Sequence, residues 1–459
     1  MSGFGEDSKR GTLALSDFTL KSRRVVTREG VREACVQVRD GRITEVSDLS
    51  EETRGTTVVD LGDKVLMPGV IDTHVHVNEP GRTEWEGFAT ATLAAAAGGV
   101  TTLLDMPLNS IPPTTSVDGL HAKAESAAGR CRVHVGFWGG LVPGNERELA
   151  PLRSAGVFGF KCFLAPSGVP EFEPVTDRDL TAAMARLAKM SAVLLVHAEN
   201  PDRIAAQWNG PADSYDAYLS TRPPAAEIEA VERMIRFSRQ TGARVHILHL
   251  SSADAADAVA GAKREGLPVS AETCPHYLTF ASEEIPKGAT EFKCAPPIRG
   301  SENRERLWAA LAEGSIELVV SDHSPAPEEL KHRESGDFAR AWGGISSLEV
   351  SLAAVWTGAA ARGFSVADLA RWMCAGPARL AGLEAWKGSI APGLDADLVV
   401  WDPEASWKVD PALLHHRHPL TPYAGRILRG KIEATYVRGT RIFEAAELTG
   451  PPSGEILLS

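Results

Sequence analysis

The stretch VLMPGVIDTHVHV, Val65–Val77, is the part of the sequence that most constrains the fold. It is an apolar run typical of a buried strand, and it ends in two histidines, His74 and His76. Side chains two residues apart on a strand point the same way, so both imidazoles can reach one site. An HxH pair by itself is more typical of two structural polar residues than of a metal site, so its meaning depends on the rest of the chain.

Seven further apolar runs follow, and they alternate with stretches of helical periodicity. The eight predicted strands are Val65–Val77, Val100–Met106, Val133–Leu141, Val157–Leu164, Val193–Glu199, Arg244–Ser252, Pro268–Cys274 and Ile316–His323. The predicted helices are Glu84–Ala97, Leu120–Ala128, Arg178–Met190, Glu227–Gln240, Ala253–Arg264, Asn303–Ala312 and Ser346–Ala361. This alternation predicts an α/β fold, a (β/α)8 TIM-type barrel. A doubly wound open sheet is the alternative, and the lack of a GxGxxG motif after the first strand disfavours it.

The two ends of the chain have a different pattern from the middle. Short alternating segments separated by turns occur at Ala34–Val38, Asp397–Trp401 and Ala434–Val437, which is typical of β structure. We therefore predict one small β-sandwich domain built from both ends. The predicted organisation is a disordered tail at 1–11, the N-terminal half of the sandwich at 12–66, the barrel at 67–388, and the C-terminal half of the sandwich with a tail at 389–459.

Composition excludes several classes of protein. The chain has 459 residues and a formal net charge of -12, without a basic stripe, which argues against binding to nucleic acid or to an anionic membrane. Its six cysteines are scattered, as in a reduced cytoplasmic protein. No apolar run reaches the length of a membrane span, and the polar start lacks the core of a signal peptide. We predict a cytoplasmic protein.

A lysine stands inside the fourth predicted strand, in the stretch FGFKCFL, Phe158–Leu164. Lysine is rarely buried unless it is paired, so Lys161 either forms a salt bridge with a buried carboxylate or has a chemical role. Burial favours the neutral amine. A neutral amine can add carbon dioxide to form a carbamate, whose two oxygens can bridge two cations.

Histidine or aspartate also falls near the carboxyl ends of other predicted strands. His197 lies in the fifth, His249 in the sixth and Asp322 in the eighth. Each residue alone is more typical of an ordinary polar strand end. Their joint occurrence at the face where barrel active sites lie predicts a metal centre. Imidazole and carboxylate ligands suit zinc and neighbouring divalent metals.

The remaining histidines are weaker candidates. His246 lies three residues before a candidate ligand and is therefore predicted to face the other way. His323 is predicted to border the pocket. His415, His416 and His418 lie in the C-terminal region and are predicted to be on the surface.

Several stretches also resemble a known family. Pro68–His76 is similar to the first-strand signature of the amidohydrolase superfamily, and Lys387–Val399 is similar to that superfamily's return into its β-sandwich. The superfamily has a cyclic-amidohydrolase branch, which contains dihydroorotases, hydantoinases, dihydropyrimidinases and allantoinases. The residues whose spacing resembles that branch are Lys161, His197, His249 and Asp322.

Within that branch the sequence is most similar to allantoinases. The stretches that carry this similarity are Asn78–Phe88, Asp105–Ser110, Gly159–Leu164, Ser167–Val169 and Ala341–Ile345. Asn78 stands where dihydroorotases have an arginine that holds a substrate carboxylate, and no tyrosine shortly follows Lys161 as it usually does in hydantoinases. Ala295 stands where relatives often have serine. A hydantoinase or dihydropyrimidinase of broader specificity is the alternative.

The resemblance implies a homotetrameric enzyme that hydrolyses the ring amide of a small molecule, allantoin, to give allantoate. It implies two divalent ions (zinc, or else cobalt, manganese or iron) bridged by N6-carboxylated Lys161. The implied metal ligands are His74, His76, Lys161, His197, His249 and Asp322. In this interpretation Asp322 is also the catalytic proton shuttle, and Asn109 and Gly343 orient the substrate. A non-catalytic scaffold is disfavoured because the six ligands are all present.

Overall fold

The computed structural model describes residues 17–50, 57–205, 208–444 and 446–459. The predicted tail at 1–11 and the first residues of the predicted N-terminal half of the sandwich lie outside these ranges. The strands are β1 (Phe18–Thr27), β2 (Gly30–Arg39), β3 (Arg42–Ser47), β4 (Thr57–Asp60), β5 (Val65–Pro68), β6 (Val70–Val75), β7 (Val100–Asp105), β8 (His134–Phe137), β9 (Gly139–Gly140), β10 (Phe160–Phe163), β11 (Val193–His197), β12 (Arg244–Ile247), β13 (Val269–Thr273), β14 (Leu318–Val319), β15 (Leu398–Lys408), β16 (Ile427–Val437), β17 (Thr440–Glu444) and β18 (Glu447–Leu448).

Helices follow most of the barrel strands and cover the outside of the barrel. They are α1 (Phe88–Ala97), α2 (Val117–Ala127), α3 (Leu149–Ser154), α4 (Asp177–Lys189), α5 (Tyr215–Ser220), α6 (Pro224–Thr241), α7 (Ala253–Arg264), α8 (Pro275–Thr279), α9 (Ser301–Glu313), α10 (Glu328–Lys331), α11 (Ser351–Ala361), α12 (Val366–Ala370) and α13 (Gly376–Ala381). The first helix was predicted to begin at Glu84 but begins at Phe88, because Gly87 adopts a φ of 102° and the Glu79 side chain accepts a hydrogen bond from the Phe88 N–H.

Parallel strands form the predicted barrel. One hydrogen-bonded set runs β6-β7-β8 and the other runs β9-β10-β11-β12-β13-β14. β8 and β9 are successive segments of one strand, so the two sets share a position and eight strand positions result. The ring closes between the last and first strands, where the His76 N–H donates to the His323 carbonyl at 2.8 Å. The predicted (β/α)8 architecture is confirmed.

The first apolar run, Val65–Val77, was predicted as one strand and is in fact two. β5 belongs to the sheet that flanks the barrel, whereas β6 belongs to the barrel itself. Gly69 separates them, and a Cβ at this position would lie 2.3 Å from the Thr101 side chain. The chain therefore passes between the two sheets at the one residue type that this close approach permits.

The flanking sheet is made from both ends of the chain, as predicted. Its strand order is β18-β17-β16-β15-β5-β1-β2-β3, with β4 paired to β1. β5 is the central link, because it pairs with β1 in parallel and with β15 in antiparallel orientation. Apolar residues from both ends, including Leu20, Val36, Leu398 and Val400, form a shared buried core.

Residues 454–459 lie against the barrel and not against the flanking sheet. The Val135 N–H donates to the Glu455 carbonyl at 3.0 Å, and the Leu457 N–H donates to the Val135 carbonyl at 2.8 Å. The Ser459 N–H donates to the Gly156 carbonyl at 3.0 Å. These residues fill the gap between the first half of the third barrel strand and the segment that leads into the fourth.

Candidate active site

Barrel strands carry the six candidate ligands to one end of the barrel. His74 lies on β6, Lys161 on β10 and His197 at the end of β11. The candidate ligands that follow the strand ends are His76, His249 and Asp322. All six are buried. A cavity of about 350 Å³ opens onto all of them except His74, which lies beneath it.

Two of these residues have a backbone conformation that is uncommon for side-chain-bearing residues. His249 has a φ of 35° and Asp322 a φ of 45°. This turn out of the extended conformation ends β12 and β14 earlier than predicted and aims both side chains into the barrel mouth. Uncommon backbone conformations of this kind concentrate at functional sites.

The imidazoles of His74 and His76 converge on the Asp322 carboxylate. The distance from Nε2 to Oδ1 is 3.1 Å for His74 and 3.6 Å for His76. The His74 Nε2 atom is buried and lies beside the Asp322 carboxylate without a well-oriented hydrogen bond to it. His74, His249 and Asp322 each offer a ligand atom within 4.8 Å of the others. Buried donor atoms that face one another without hydrogen bonds fit a bound cation.

A second pair of imidazoles lies beside the first group. The His197 Nδ1 and His249 Nε2 atoms are 3.0 Å apart, and the rings of His74 and His249 have centroids separated by 5.3 Å. Burial lowers the pKa of His76, His197 and His249 below the ordinary value for histidine. Their rings are therefore neutral at physiological pH, which is the form that binds a metal.

Asp322 is ionised at physiological pH. Burial alone would raise its pKa, but the imidazoles of His74, His249 and His76 outweigh that effect and hold the pKa well below its usual range. The Ser324 hydroxyl donates to Oδ1 at 2.8 Å and fixes the carboxylate in place. An anchored carboxylate beside the neutral imidazoles of His76 and His249 is a donor set suited to a divalent metal.

Lys161 is buried and forms no ion pair with the described residues. The structure therefore does not contain the salt bridge that was the structural alternative for this lysine. Its Nζ lies 4.8 Å from the centroid of the Phe163 ring. Burial lowers the pKa of the lysine to about 8. A substantial fraction of the amine is then neutral near physiological pH, which is the form that reacts with carbon dioxide.

Two carboxylates that support the histidines were missed by the sequence analysis. Glu272, on β13, accepts from His74 Nδ1 at 2.5 Å and from His246 Nε2 at 3.0 Å. Glu199 contacts His197 Nε2 at 2.7 Å and forms an ion pair with Arg222. Each carboxylate fixes the tautomer and orientation of a candidate ligand. The role of Glu272 depends on strand packing that the sequence does not reveal, whereas Glu199 ends the predicted strand Val193–Glu199 two residues after His197 and its position could have been noticed.

Replacing Glu272 by Gln is expected to lower the affinity for divalent metal by about 10- to 100-fold, because the oriented charge behind His74 is lost. Metal content after dialysis against graded chelator measures this effect. The matched control is Glu317→Gln, a carboxylate that lies in a neighbouring strand connection and contacts Lys263 and not a candidate ligand. Equal metal retention by the two variants would contradict the supporting role of Glu272.

The remaining predictions for individual residues divide into two groups. Asn109 and Gly343 both line the cavity, and the Asn109 Nδ2 lies 3.5 Å from His76 Nδ1. His323 does not line the cavity; it bonds to Glu86 behind the barrel closure at 3.2 Å. The surface prediction was wrong for His416, which is buried because the segment around it packs onto the barrel.

Further cavity residues come from loops, and of these only Trp342 lies in a stretch that the sequence analysis quoted. Arg222 follows α5, and Lys293 and Cys294 follow β13 at some distance along the chain. Trp342 packs edge-on against Trp85 with a centroid separation of 4.8 Å and contributes to the outer wall. No periodicity marks residues of this kind, because loop positions are set by tertiary packing.

The sequence profile of the Amidohydrolase family matches residues 65–442. The chain belongs to the amidohydrolase family. The match spans the whole barrel and, in the flanking sheet, β5, β15, β16 and most of β17. Together with the cluster of His74, His249 and Asp322, family membership indicates a divalent metal site at the mouth of the barrel.

Curated relatives within the family have a consistent name. The chain is 52% identical over 442 residues to "Allantoinase" of Streptomyces avermitilis, covering 96% of this chain and 98% of the relative. It is 43% identical to "Allantoinase" of Arabidopsis thaliana, covering 99% of this chain and 93% of the relative. These relatives are amidohydrolases that act on a cyclic amide. This chain is therefore a hydrolase of cyclic amides.

Solved amidohydrolase structures have the same fold. The L-hydantoinase (dihydropyrimidinase) from Arthrobacter aurescens superimposes with a TM-score of 0.91 at 33% identity, covering 97% of this chain and all of that chain (100%). The dihydropyrimidinase from Brevibacillus agri gives a TM-score of 0.87 at 28% identity, covering 96% of this chain and 98% of that chain.

Within the described ranges, no helix combines the length and the apolar character needed to cross a bilayer.

Proposed function

We propose that this amidohydrolase opens the hydantoin ring of allantoin by hydrolysis and releases allantoate. The observation that carries the proposal is the convergence of His76, His197, His249 and Asp322 on one cavity, with His74 3.1 Å from the Asp322 carboxylate, in a chain 52% identical to an allantoinase. The cavity volume of about 350 Å³ suits a small heterocycle. The substrate is a neutral ureide, and no carboxylate-binding arginine is needed where Asn78 stands.

The proposed cofactor is a pair of divalent ions, with zinc as the first choice and cobalt, manganese or iron as the others. His74, His76 and Asp322 would hold one ion, His197 and His249 the other, and N6-carboxylated Lys161 would join them. When bound, such ions lower the pKa of water to near neutrality and polarise the amide carbonyl. We also propose a homotetramer and a cytoplasmic location.

The chain's own residues hold the substrate and move the proton. Asp322, ionised and anchored by Ser324, can accept a proton at its carboxylate from the attacking water and deliver it to the ring nitrogen that leaves. Asn109 lies beside His76, and its Oδ1 atom is buried without a partner among the described residues, so it can accept from a substrate N–H. The Gly343 backbone is the proposed donor on the opposite wall.

A hydantoinase or dihydropyrimidinase of broader specificity is the second candidate, and the close superposition on such enzymes favours it. A substrate panel separates the two. The purified protein is supplemented with the same metal throughout. We expect its kcat/KM for allantoin to exceed that for hydantoin, dihydrouracil and dihydroorotate by at least about 100-fold, because these analogues would leave polar groups of the site unpaired. Preference for hydantoin or dihydrouracil would move the protein to the second candidate.

A further inference from the structure

The cavity wall contains a short segment, Ala341–Gly344, whose peptide groups are held from behind by a buried lysine. We propose that Lys331 is a positioning residue that fixes the orientation of the Trp342–Gly343 peptide, so that the Gly343 N–H faces the substrate. Lys331 is the last residue of α10, and its side chain does not line the cavity. Its effect on the substrate is therefore transmitted through the wall segment.

The contacts of Lys331 are all with backbone carbonyls. Its Nζ donates to the carbonyls of Trp342 at 3.0 Å and Gly344 at 2.5 Å, and lies 3.5 Å from that of Lys293. Among the described residues no carboxylate forms an ion pair with it. The side chain is buried, and burial lowers its pKa to about 7. Burying an amine without a counter-ion destabilises the fold, so an apolar side chain would serve packing better.

The geometry of a trans peptide explains what this arrangement achieves. The carbonyl of Trp342 and the N–H of Gly343 belong to one planar peptide group and point in opposite directions. Because the carbonyl points back towards Lys331, the Gly343 N–H points away from it. Gly343 lines the cavity and Lys331 does not, and on this basis we infer that the N–H is on the cavity side. Within the described ranges of the chain this N–H has no hydrogen-bond partner.

The neighbouring backbone groups are already paired. The Trp342 N–H donates to the Leu330 carbonyl at 2.7 Å, and the Gly344 N–H donates to the Lys293 carbonyl at 2.8 Å. At Gly343 itself a Cβ would meet no atom closer than 3.9 Å, so no tight packing surrounds this residue. The hydrogen bond from Lys331 to the Trp342 carbonyl therefore fixes the orientation of this peptide, which packing around Gly343 does not.

The test is Lys331→Met, which keeps the length of the side chain and removes its donors. We expect KM for allantoin to rise about tenfold, because one hydrogen bond to the substrate is lost. We expect kcat to change less than about threefold and the metal content to stay the same. Lys387→Met is the matched control, since Lys387 is equally buried but pairs with Asp395 and Asp397 away from the cavity. The control is expected to keep the wild-type KM.

Two results would overturn the proposal: a folded, metal-loaded Lys331→Met with wild-type KM, or the same rise in KM for Lys387→Met. If Lys331→Met does not fold, Lys331→Gln, which keeps two amide donors, is measured instead and is expected to raise KM by less. The proposal rests on the proposed function only for its substrate. If the wild type fails on allantoin, the variants are compared on the cyclic amide that it does hydrolyse, so the two failures are distinguishable.

Discussion

Asp322→Asn is expected to lower kcat by about 10²- to 10⁴-fold while the protein stays folded, because an amide cannot accept the proton that the carboxylate transfers. Asp322 is the point on which His74 and His76 converge, at 3.1 and 3.6 Å. The amide oxygen still offers a neutral ligand atom, so much of the metal should remain. Steady-state rates with allantoin, measured beside metal content by elemental analysis, give both quantities.

The matched control for this variant is Asp395→Asn, an aspartate that contacts Lys387 far from the cavity. It should keep near-native turnover. Near-native rates in Asp322→Asn itself would show that another group transfers the proton. A proportional loss of metal and activity would instead make Asp322 a ligand without a role in proton transfer.

Lys161→Ala is expected to remove most of the bound metal and to lower activity by about 10³-fold or more, since bound ions supply several kcal/mol of transition-state stabilisation. The physical reason is that the buried amine is the only proposed bridge between the two ion sites. Metal stoichiometry of the purified variant, with and without excess metal during growth, measures the loss. Retention of two ions with full activity would exclude the carbamate.

The carbamate itself can be observed separately. Protein prepared with ¹³C-labelled bicarbonate should show a carbamate carbon resonance by NMR that is absent from Lys161→Ala. Lys123→Met, which removes another fully buried lysine that pairs with Asp105, should keep the resonance if the protein folds. A resonance that persists in Lys161→Ala would assign the modification to a different amine.

The sequence predicted the barrel because each strand is a local apolar run, and local runs can be recognised without knowing the fold. It also predicted the candidate ligands, because a polar residue at the end of such a run is conspicuous. Strand ends were less accurate. Val65–Val77 looks continuous in sequence, yet Gly69 separates two sheets, and only the close approach of Thr101 explains why.

What the sequence could not predict depends on contacts between distant segments. Glu272 looks like an ordinary strand residue until β13 is placed beside the His74 ring. His416 looks like a residue of a polar tail until its segment packs against the barrel, where Glu86 accepts from the Arg417 N–H. The buried carbonyl contacts of Lys331 likewise arise from loop packing that follows no sequence period.

The contacts of residues 454–459 with the barrel limit how this protein can be truncated. A fragment that ends near 388 would contain every barrel strand, and on sequence grounds it would pass for a minimal catalytic unit. It would nevertheless expose the backbone of Val135, which the excised residues otherwise cover. An open strand edge is a template for pairing with other chains. The isolated barrel would therefore tend to aggregate, and a useful truncation has to carry this short segment with it.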